Sequence, residues 1–415
     1  MAPPRVARIL IVDDSAVMRS LLRSVILSDK RLEVAGTAID GASALRAMDN
    51  LCPDLILLDV EMPVMDGLST LKQMKAKGRR VPVIMCSSLT QRGAKVTIEA
   101  LACGAADYVA KPTGQASREA AIQTLAQDLV PKILALTAIQ STPVESGSGA
   151  HGAFPLGPVP VHAVSGVYAH ASGGPLPHGS VLPAFVPPQP ARHAQQPIPS
   201  TPPAVVCIGI STGGPAALDV LIPALPANFP VPILIVQHMP ELFTKLLAER
   251  LDSRCPIHVT EATNGEAICP GTVYIAKGNW HMEVIAGDRH QQRSSSSAPP
   301  APLLRLTQEP QENHCRPAVD VLFRTAVSVF GSRVLGVVMT GMGSDGLIGS
   351  RIIRDHNGTV LAQDQATSAV WGMPGSVAQA GLAHRILPLN AIVPELLRLA
   401  GRGQREAFEL RESAV

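Results

Sequence analysis

Ser211 lies between glycines in CIGISTGGP, residues 207–215, directly after an apolar run. The segment admits two chemistries. A phosphate cradle offers bare backbone N–H groups at a helix start, whereas a nucleophile elbow uses the same sharp turn to expose one hydroxyl. Gly209, Ser211 and Gly213 fit the G-x-S-x-G spacing, while neither a dinucleotide fingerprint nor a Walker loop occurs here. A serine hydroxyl is barely ionised near neutral pH and needs a base. His238 follows the apolar run in VPILIVQHMP, and Asp345 follows another in VLGVVMTGMGSDG. Both are then expected at strand ends, on the edge that carries Ser211, where they qualify as base and orienting acid. Taken singly, such a histidine is a hydrogen-bonded structural residue and such an aspartate a turn or cap residue. Together with Ser211 they form a nucleophile, base and acid in the order Ser, His, Asp, unlike the Ser, Asp, His order of α/β-hydrolases.

A second set lies nearer the N-terminus. Asp13 and Asp14 follow the run RILIV, Asp59 ends DLILLD, Ser87 ends VPVIMCS, and Lys111 follows DYVA. In a parallel sheet these positions converge beyond the carboxyl edge. Three carboxylates held that close repel one another unless a hard cation joins them, and an all-oxygen set suits Mg²⁺. One carboxylate can then act as nucleophile toward a phosphoryl group, and Asp59, the lone acid at the central strand's tip, is the candidate. The plainer alternative makes the Asp13–Asp14 pair a helix cap and Asp59 a turn residue.

The elements that must position these residues are visible as alternating short β-branched runs and helical patterns. Up to residue 136 five strands interleave with five helices, the last helix near 118–136, which predicts a doubly wound parallel sheet. From Ser141 to Pro203 the texture changes: 14 prolines and two charged side chains, Glu145 and Arg192, cannot assemble a core. This stretch is expected to be a linker, extended where proline is dense. Its five histidines, 151, 162, 170, 178 and 193, match no metal-site spacing and are expected to be solvated. After it AVVCIGI, VPILIVQ, TVYIA, RVLGVVM and TVLAQ resume the alternation. The fold class is α/β: two doubly wound parallel-sheet domains at 1–136 and 204–400, a linker at 137–203 and a solvated tail at 401–415.

At 415 residues the chain can bury more than one core, and its net charge of +2, with scattered basic residues, asks for neither nucleic acid nor an anionic membrane. No apolar run approaches a membrane span, and MAPPRVARILIVDD lacks the features of a signal peptide, so a cytoplasmic protein is expected. Seven cysteines without a CxxC pair argue against disulfides and zinc knuckles and are expected to be buried thiols.

ILIVDDS, DLILLDVEMPVMDGL, MCSS and YVAKP resemble the receiver domain of two-component response regulators, a flavodoxin-like fold, over about residues 7–130. The resemblance implies that Asp59 is the phosphoacceptor, that Asp13 and Asp14 hold Mg²⁺ together with Asp59 and the Glu61 carbonyl, that Ser87 is the hydroxyl switch and that Lys111 pairs with the phosphate. GISTGGP, VQHMP, YIAKGNWHM, RPAVDVLF, GVVMTGMGSDG and AQDQATSAVWGMP resemble the larger, Rossmann-like catalytic domain of the CheB-type chemoreceptor methylesterases. That resemblance implies Ser211 as nucleophile, His238 as base, Asp345 as its partner and the Met342 amide, assisted by that of Thr212, as oxyanion donors. It implies, without a cofactor for hydrolysis, demethylation of glutamyl γ-methyl esters and deamidation of glutamines on chemoreceptors, with a chemotaxis histidine kinase as phosphodonor and a cytoplasmic place beside receptor arrays. It further implies that the unphosphorylated receiver covers the cleft.

Two features depart from the family pattern. The 63-residue stretch from Ser141 to Pro203 exceeds what a hinge requires, and length lowers the effective concentration of one domain for the other. Residues 288–302, DRHQQRSSSSAPPAP, read as a polar hairpin extension, a tolerated surface loop. Two other functions compete with the esterase: a receiver with a DNA-binding output, which would want a compact helical domain and a basic face, and a receiver fused to a silent receptor-binding module.

Overall fold

The computed structural model describes residues 5–88, 90–112, 117–137, 196–287 and 301–412, with side chains to residue 401. Residues 138–195, which hold most of the expected linker and its five histidines, and residues 288–300 of the expected hairpin extension lie outside the described residues.

The N-terminal domain runs β1 (Ala7–Val12), α1 (Ala16–Leu27), β2 (Leu32–Ala38), α2 (Gly41–Leu51), β3 (Leu55–Asp59), α3 (Gly67–Ala76), β4 (Val83–Ser87), α4 (Gln91–Ala102), β5 (Asp107–Ala110) and α5 (Arg118–Leu136). Its strands are parallel in the order β2-β1-β3-β4-β5. β3 and β4 are buried end to end because helices cover both faces, which is why LILLD and VIMCS read as continuous apolar runs. Asp40, Asp66, Thr90 and Ser117 start α2, α3, α4 and α5 by accepting the N3 amide.

The C-terminal domain runs β6 (Val205–Ile210), α6 (Gly214–Leu221), β7 (Ile233–Gln237), α7 (Glu241–Asp252), β8 (His258–Glu261), β9 (Thr272–Ile275), β10 (His281–Ile285), β11 (Leu303–Thr307), α8 (Val319–Phe330), β12 (Val334–Val338), α9 (Leu347–Asp355), β13 (Thr359–Gln363), α10 (Met373–Gln379), β14 (Arg385–Leu387) and α11 (Leu389–Glu412). Seven parallel strands lie in the order β14-β13-β12-β6-β7-β9-β8, while β10 and β11 pair antiparallel beside them. The five runs expected from the sequence are the sheet's centre. Its edges, β8 and β14, escape sequence reading because they are four and three residues long and only partly buried, so they carry no apolar signature.

Both expected domain limits shift. Gln196 already binds the C-terminal domain: its carbonyl accepts from Arg385 at 2.6 Å and its side-chain amide donates to the Gly381 carbonyl at 2.9 Å. Ile198 packs against the core, so the last part of the expected linker is a strap along the sheet's β14 side. At the other end α11 continues to Glu412, through the segment expected to be a loose tail. The cysteines also differ from expectation: all seven are free, but Cys86 and Cys207 alone are buried, while Cys52 and Cys269 are exposed and Cys103, Cys255 and Cys315 half-buried. Cys52 is outside the core because it occupies the left-handed cap of α2 at φ 44°.

The two domains form one compact unit. Leu101, Ala105 and Tyr108 of the first belong to the same apolar cluster as Leu218, Phe243 and Leu247 of the second. The rings of Tyr108 and Phe243 stack at 4.6 Å with 13° between their planes, a contact worth about 0.5–1.5 kcal/mol beyond its buried area.

Candidate active site

In the C-terminal sheet β6 sits between β7 and β12, so the chain leaves β6 on one side and returns on the other. A crevice opens where the winding reverses. Ser211 follows β6, His238 follows β7, and Asp345 lies in the loop after β12, all at that opening. Gly213 turns the chain into α6 at φ 79°, a conformation that disfavours a side chain. Gly341 lets the β12 loop press onto the serine, since a Cβ there would lie 2.7 Å from that of Ser211. The Ser211 amide donates to the Thr340 carbonyl at 2.9 Å, and its carbonyl accepts from Gly214 at 2.7 Å and from Gln237 at 3.0 Å. The backbone is thus pinned while the hydroxyl has no hydrogen-bond partner among the described residues; the residue lines a cleft of about 590 Å³.

His238 Nε2 lies 2.8 Å from Asp345 Oδ2. That oxygen also accepts from the Val319 amide at 2.7 Å, and Oδ1 accepts from Asp320 and Gly346 amides at 3.0 Å each and from Asn313 Nδ2 at 2.9 Å. Asp345 therefore caps the start of α8, where its charge meets the positive end of the helix. Burial raises the cost of that charge, yet the bonds from His238, Val319 and Asp320 outweigh it and hold the carboxyl below its usual range. For His238, burial disfavours the cation, but the Asp345 carboxylate and the Cys315 sulfur, 3.7 Å from Nδ1, more than compensate and push it up to about 9.

The backbone amides of Thr212 and Met342, like that of Gly343 next to Met342, have no protein acceptor among the described residues, although those of Ser211, Gly213 and Gly341 are all paired. Thr212 and Met342 line the cleft. The Thr212 side chain faces the N-terminal domain: its hydroxyl donates to Asp107 Oδ2 at 2.6 Å, and the Gly213 amide donates to the Ala106 carbonyl at 3.1 Å. Lys132 lies 3.7 Å from the other oxygen of Asp107 and donates to the Tyr108 carbonyl at 2.7 Å.

In the N-terminal domain Lys111 Nζ lies 2.7 Å from Asp59 Oδ1 and 2.9 Å from Asp13 Oδ2. Oxygens of Asp13, Asp14 and Asp59 lie within 4.8 Å of one another. Burial pushes the Asp59 carboxyl up, partly opposed by Lys111. Ser87 is buried and its hydroxyl donates to the Ser88 carbonyl at 3.1 Å rather than to the acids. The Glu61 side chain turns away to Arg92 at 3.2 Å. One ammonium against three carboxylates leaves a charge deficit that a divalent hard cation fits, and the buried Asp13 Oδ2, without a geometrically sound hydrogen bond, suits a ligand role.

Residues 206–396 match the family model CheB methylesterase, and residues 9–138 match the response regulator receiver domain. A protein-glutamate methylesterase/protein-glutamine glutaminase from Nocardioides sp. is 44% identical over 95% of this chain and 96% of its own length, and one from Trichodesmium erythraeum is 42% identical over 95% and 99%. This chain belongs to the CheB methylesterase family. The solved catalytic domain of Thermotoga maritima CheB methylesterase is 42% identical, covers 48% of this chain and all of that one, and superposes with a TM-score of 0.44. Membership in the CheB family removes the DNA-binding reading, and the seven-stranded sheet is not the compact helical output it required. Among the described residues no helix is long and apolar enough to cross a membrane.

Sequence reading missed Asp320, Asn313, Cys315 and Asp107. Asp320 accepts from the Gly349 amide at 2.6 Å and from Asn313 at 2.8 Å, and burial raises it to about 6. An acid inside the apolar run AVDVLF was a visible signal for it. Nothing local marks Asn313, Cys315 or Asp107, because their roles arise from segments far apart in the chain.

Proposed function

We propose that this chain hydrolyses glutamyl γ-methyl esters on chemoreceptors, releasing methanol, and deamidates receptor glutamines, under control of Asp59 phosphorylation by a chemotaxis histidine kinase. The pairing of His238 with Asp345 at the rim that carries the free Ser211 hydroxyl supports this reading above all. Ser211 attacks the ester or amide carbonyl while His238, in its neutral form, takes the proton and passes it to the leaving methanol or ammonia. Water then hydrolyses the acyl-enzyme with the same imidazole as base. Base assistance of this kind is worth about 10²- to 10⁴-fold and an oxyanion donor about 10²- to 10³-fold. The amides of Met342 and Thr212 take the oxyanion role because they flank the Ser211 loop and have no protein acceptor among the described residues. The hydroxyl and imidazole need not be bonded before substrate arrives, since such bonds tighten in the substrate complex.

Domain roles follow: a receiver over 1–136, a linker beginning at 137, and a catalytic domain that we extend from its sequence limits of 204–400 back to Gln196 and forward along α11. Asp13, Asp14, Asp59 and the Glu61 carbonyl would hold Mg²⁺, which when bound neutralises charge on an incoming phosphoryl group. Lys111 supplies the protein's own cation there, and Ser87 would change hydrogen-bond partner. The receiver's Asp107 and Ala106 grip the Ser211 loop, so the unphosphorylated receiver inhibits by holding that loop and covering the cleft. The protein works in the cytoplasm beside receptor arrays. Methanol release from methylated receptor membranes, with and without a small phosphodonor, tests the whole reading: phosphodonor-stimulated release that disappears in Ser211→Ala is expected, and release unchanged in that variant removes Ser211 as nucleophile.

A further inference from the structure

His238 uses one ring nitrogen on Asp345 and turns the other, Nδ1, toward Cys315 Sγ at 3.7 Å. Hydrolysis assigns no part to that sulfur. Donor atoms of His238, Cys315 and Asp345 lie within 4.8 Å of one another, and His238 and Cys315 line the cleft while Asp345 is buried behind them. A zinc ion bound at 2.0–2.1 Å to nitrogen and 2.3 Å to sulfur with a tetrahedral angle sets those two donors about 3.6 Å apart. The observed separation already matches, without any movement of the chain.

We propose that His238 Nδ1 and Cys315 Sγ form a binding site for a borderline-soft divalent metal ion, Zn²⁺ or Co²⁺, whose occupancy silences the esterase. The donor set selects the class: imidazole and thiolate favour Zn²⁺ and Co²⁺ over Mg²⁺ and Ca²⁺, which prefer oxygen. Asp345 completes the arrangement from the far side of the ring. A metal-bound imidazole usually gives its other N–H to a carboxylate, which fixes the ring and raises its basicity. Here that carboxylate is itself held by three backbone amides and Asn313. Remaining coordination positions open to the cleft and water. The ion would occupy the lone pair that receives the serine proton, so this part rests on His238 being the base, whereas binding itself does not.

The receiver's acid pocket is a built-in contrast, since its three carboxylates offer no soft donor. Titrating the full-length protein with Co²⁺ is expected to give a sulfur-to-cobalt charge-transfer absorption that vanishes in Cys315→Ser and in His238→Gln. Absence of that absorption in the unaltered protein overturns the site, and so does its persistence in Cys315→Ser, which would place the metal on another of the seven cysteines. Circular dichroism of both variants separates loss of a ligand from loss of the fold. In methanol release, the ratio of rates without and with saturating Zn²⁺ is expected to reach about 10²-fold, the usual worth of a base, and to collapse toward unity in Cys315→Ser. A Cys315-dependent cobalt spectrum with no Zn²⁺ inhibition would keep the metal site and remove His238 as base.

Discussion

The acid pocket of the receiver and the cleft of the catalytic domain are built by the same topological device and do opposite things with charge. In each, the sheet reverses its winding beside an early strand, between β1 and β3 in one domain and between β6 and β12 in the other. The receiver gathers three carboxylates against a single lysine, an excess of negative charge of the kind a hard cation can balance. The cleft instead balances one carboxylate with one imidazole and surrounds that carboxylate with four further donors. An unbalanced pocket recruits ligands, whereas a balanced one can hold a proton ready to move.

The contrast breaks first at Asp345. Asp345→Asn keeps the shape but removes the charge that fixes the imidazole, and methanol release is expected to fall about 10³- to 10⁴-fold. A loss of only severalfold would mean that the pair is structural. In the other pocket, Asp59→Asn is expected to leave basal release intact while abolishing stimulation by a phosphodonor; stimulation that persists places the switch on another acid. The seam between the regions comes next. Removing Asp107 costs a buried charge-assisted bond worth about 1.5–3 kcal/mol, so Asp107→Ala is expected to raise unstimulated release roughly 10- to 100-fold, and an unchanged rate would show that this bond does not hold the receiver closed.

The smallest effect concerns pH. In the proposed mechanism His238 must be neutral to accept the serine proton, and with its proton held up to about 9, kcat/KM should climb through neutral pH and level off near that value. Since Cys315 helps raise it, Cys315→Ser is expected to shift the plateau to lower pH. A profile already flat at neutral pH would show that the imidazole is not stabilised as a cation in the working enzyme.

Much of both sites was legible because strand ends in a parallel sheet are a simple code. Asp13, Asp59, Ser87 and Lys111 each follow an apolar run, and Ser211 and His238 do the same in the second domain. What stayed hidden depends on contacts across long stretches of chain. The Asn313 bridge between Asp320 and Asp345 joins a loop and a helix start to the loop after β12, a segment far from both in the chain. The sheet edges β8 and β14 were also unreadable, because short, half-exposed strands lack periodic burial. Cys315 read as one more buried thiol, and only its place on the cleft wall sets it apart.

Alternating apolar runs, by themselves, determined that this protein has two parallel α/β layers and which side chains stand at their carboxyl edges, because strand burial on both faces leaves a local signature. Tertiary structure decided which of those side chains bond, that the receiver's Asp107 grips the serine loop, and that a sulfur faces the His238 nitrogen not bonded to Asp345. Such pairings depend on distances of 2.6–3.7 Å between atoms whose residues stand 105 and 77 positions apart, and sequence spacing carries no information at that scale.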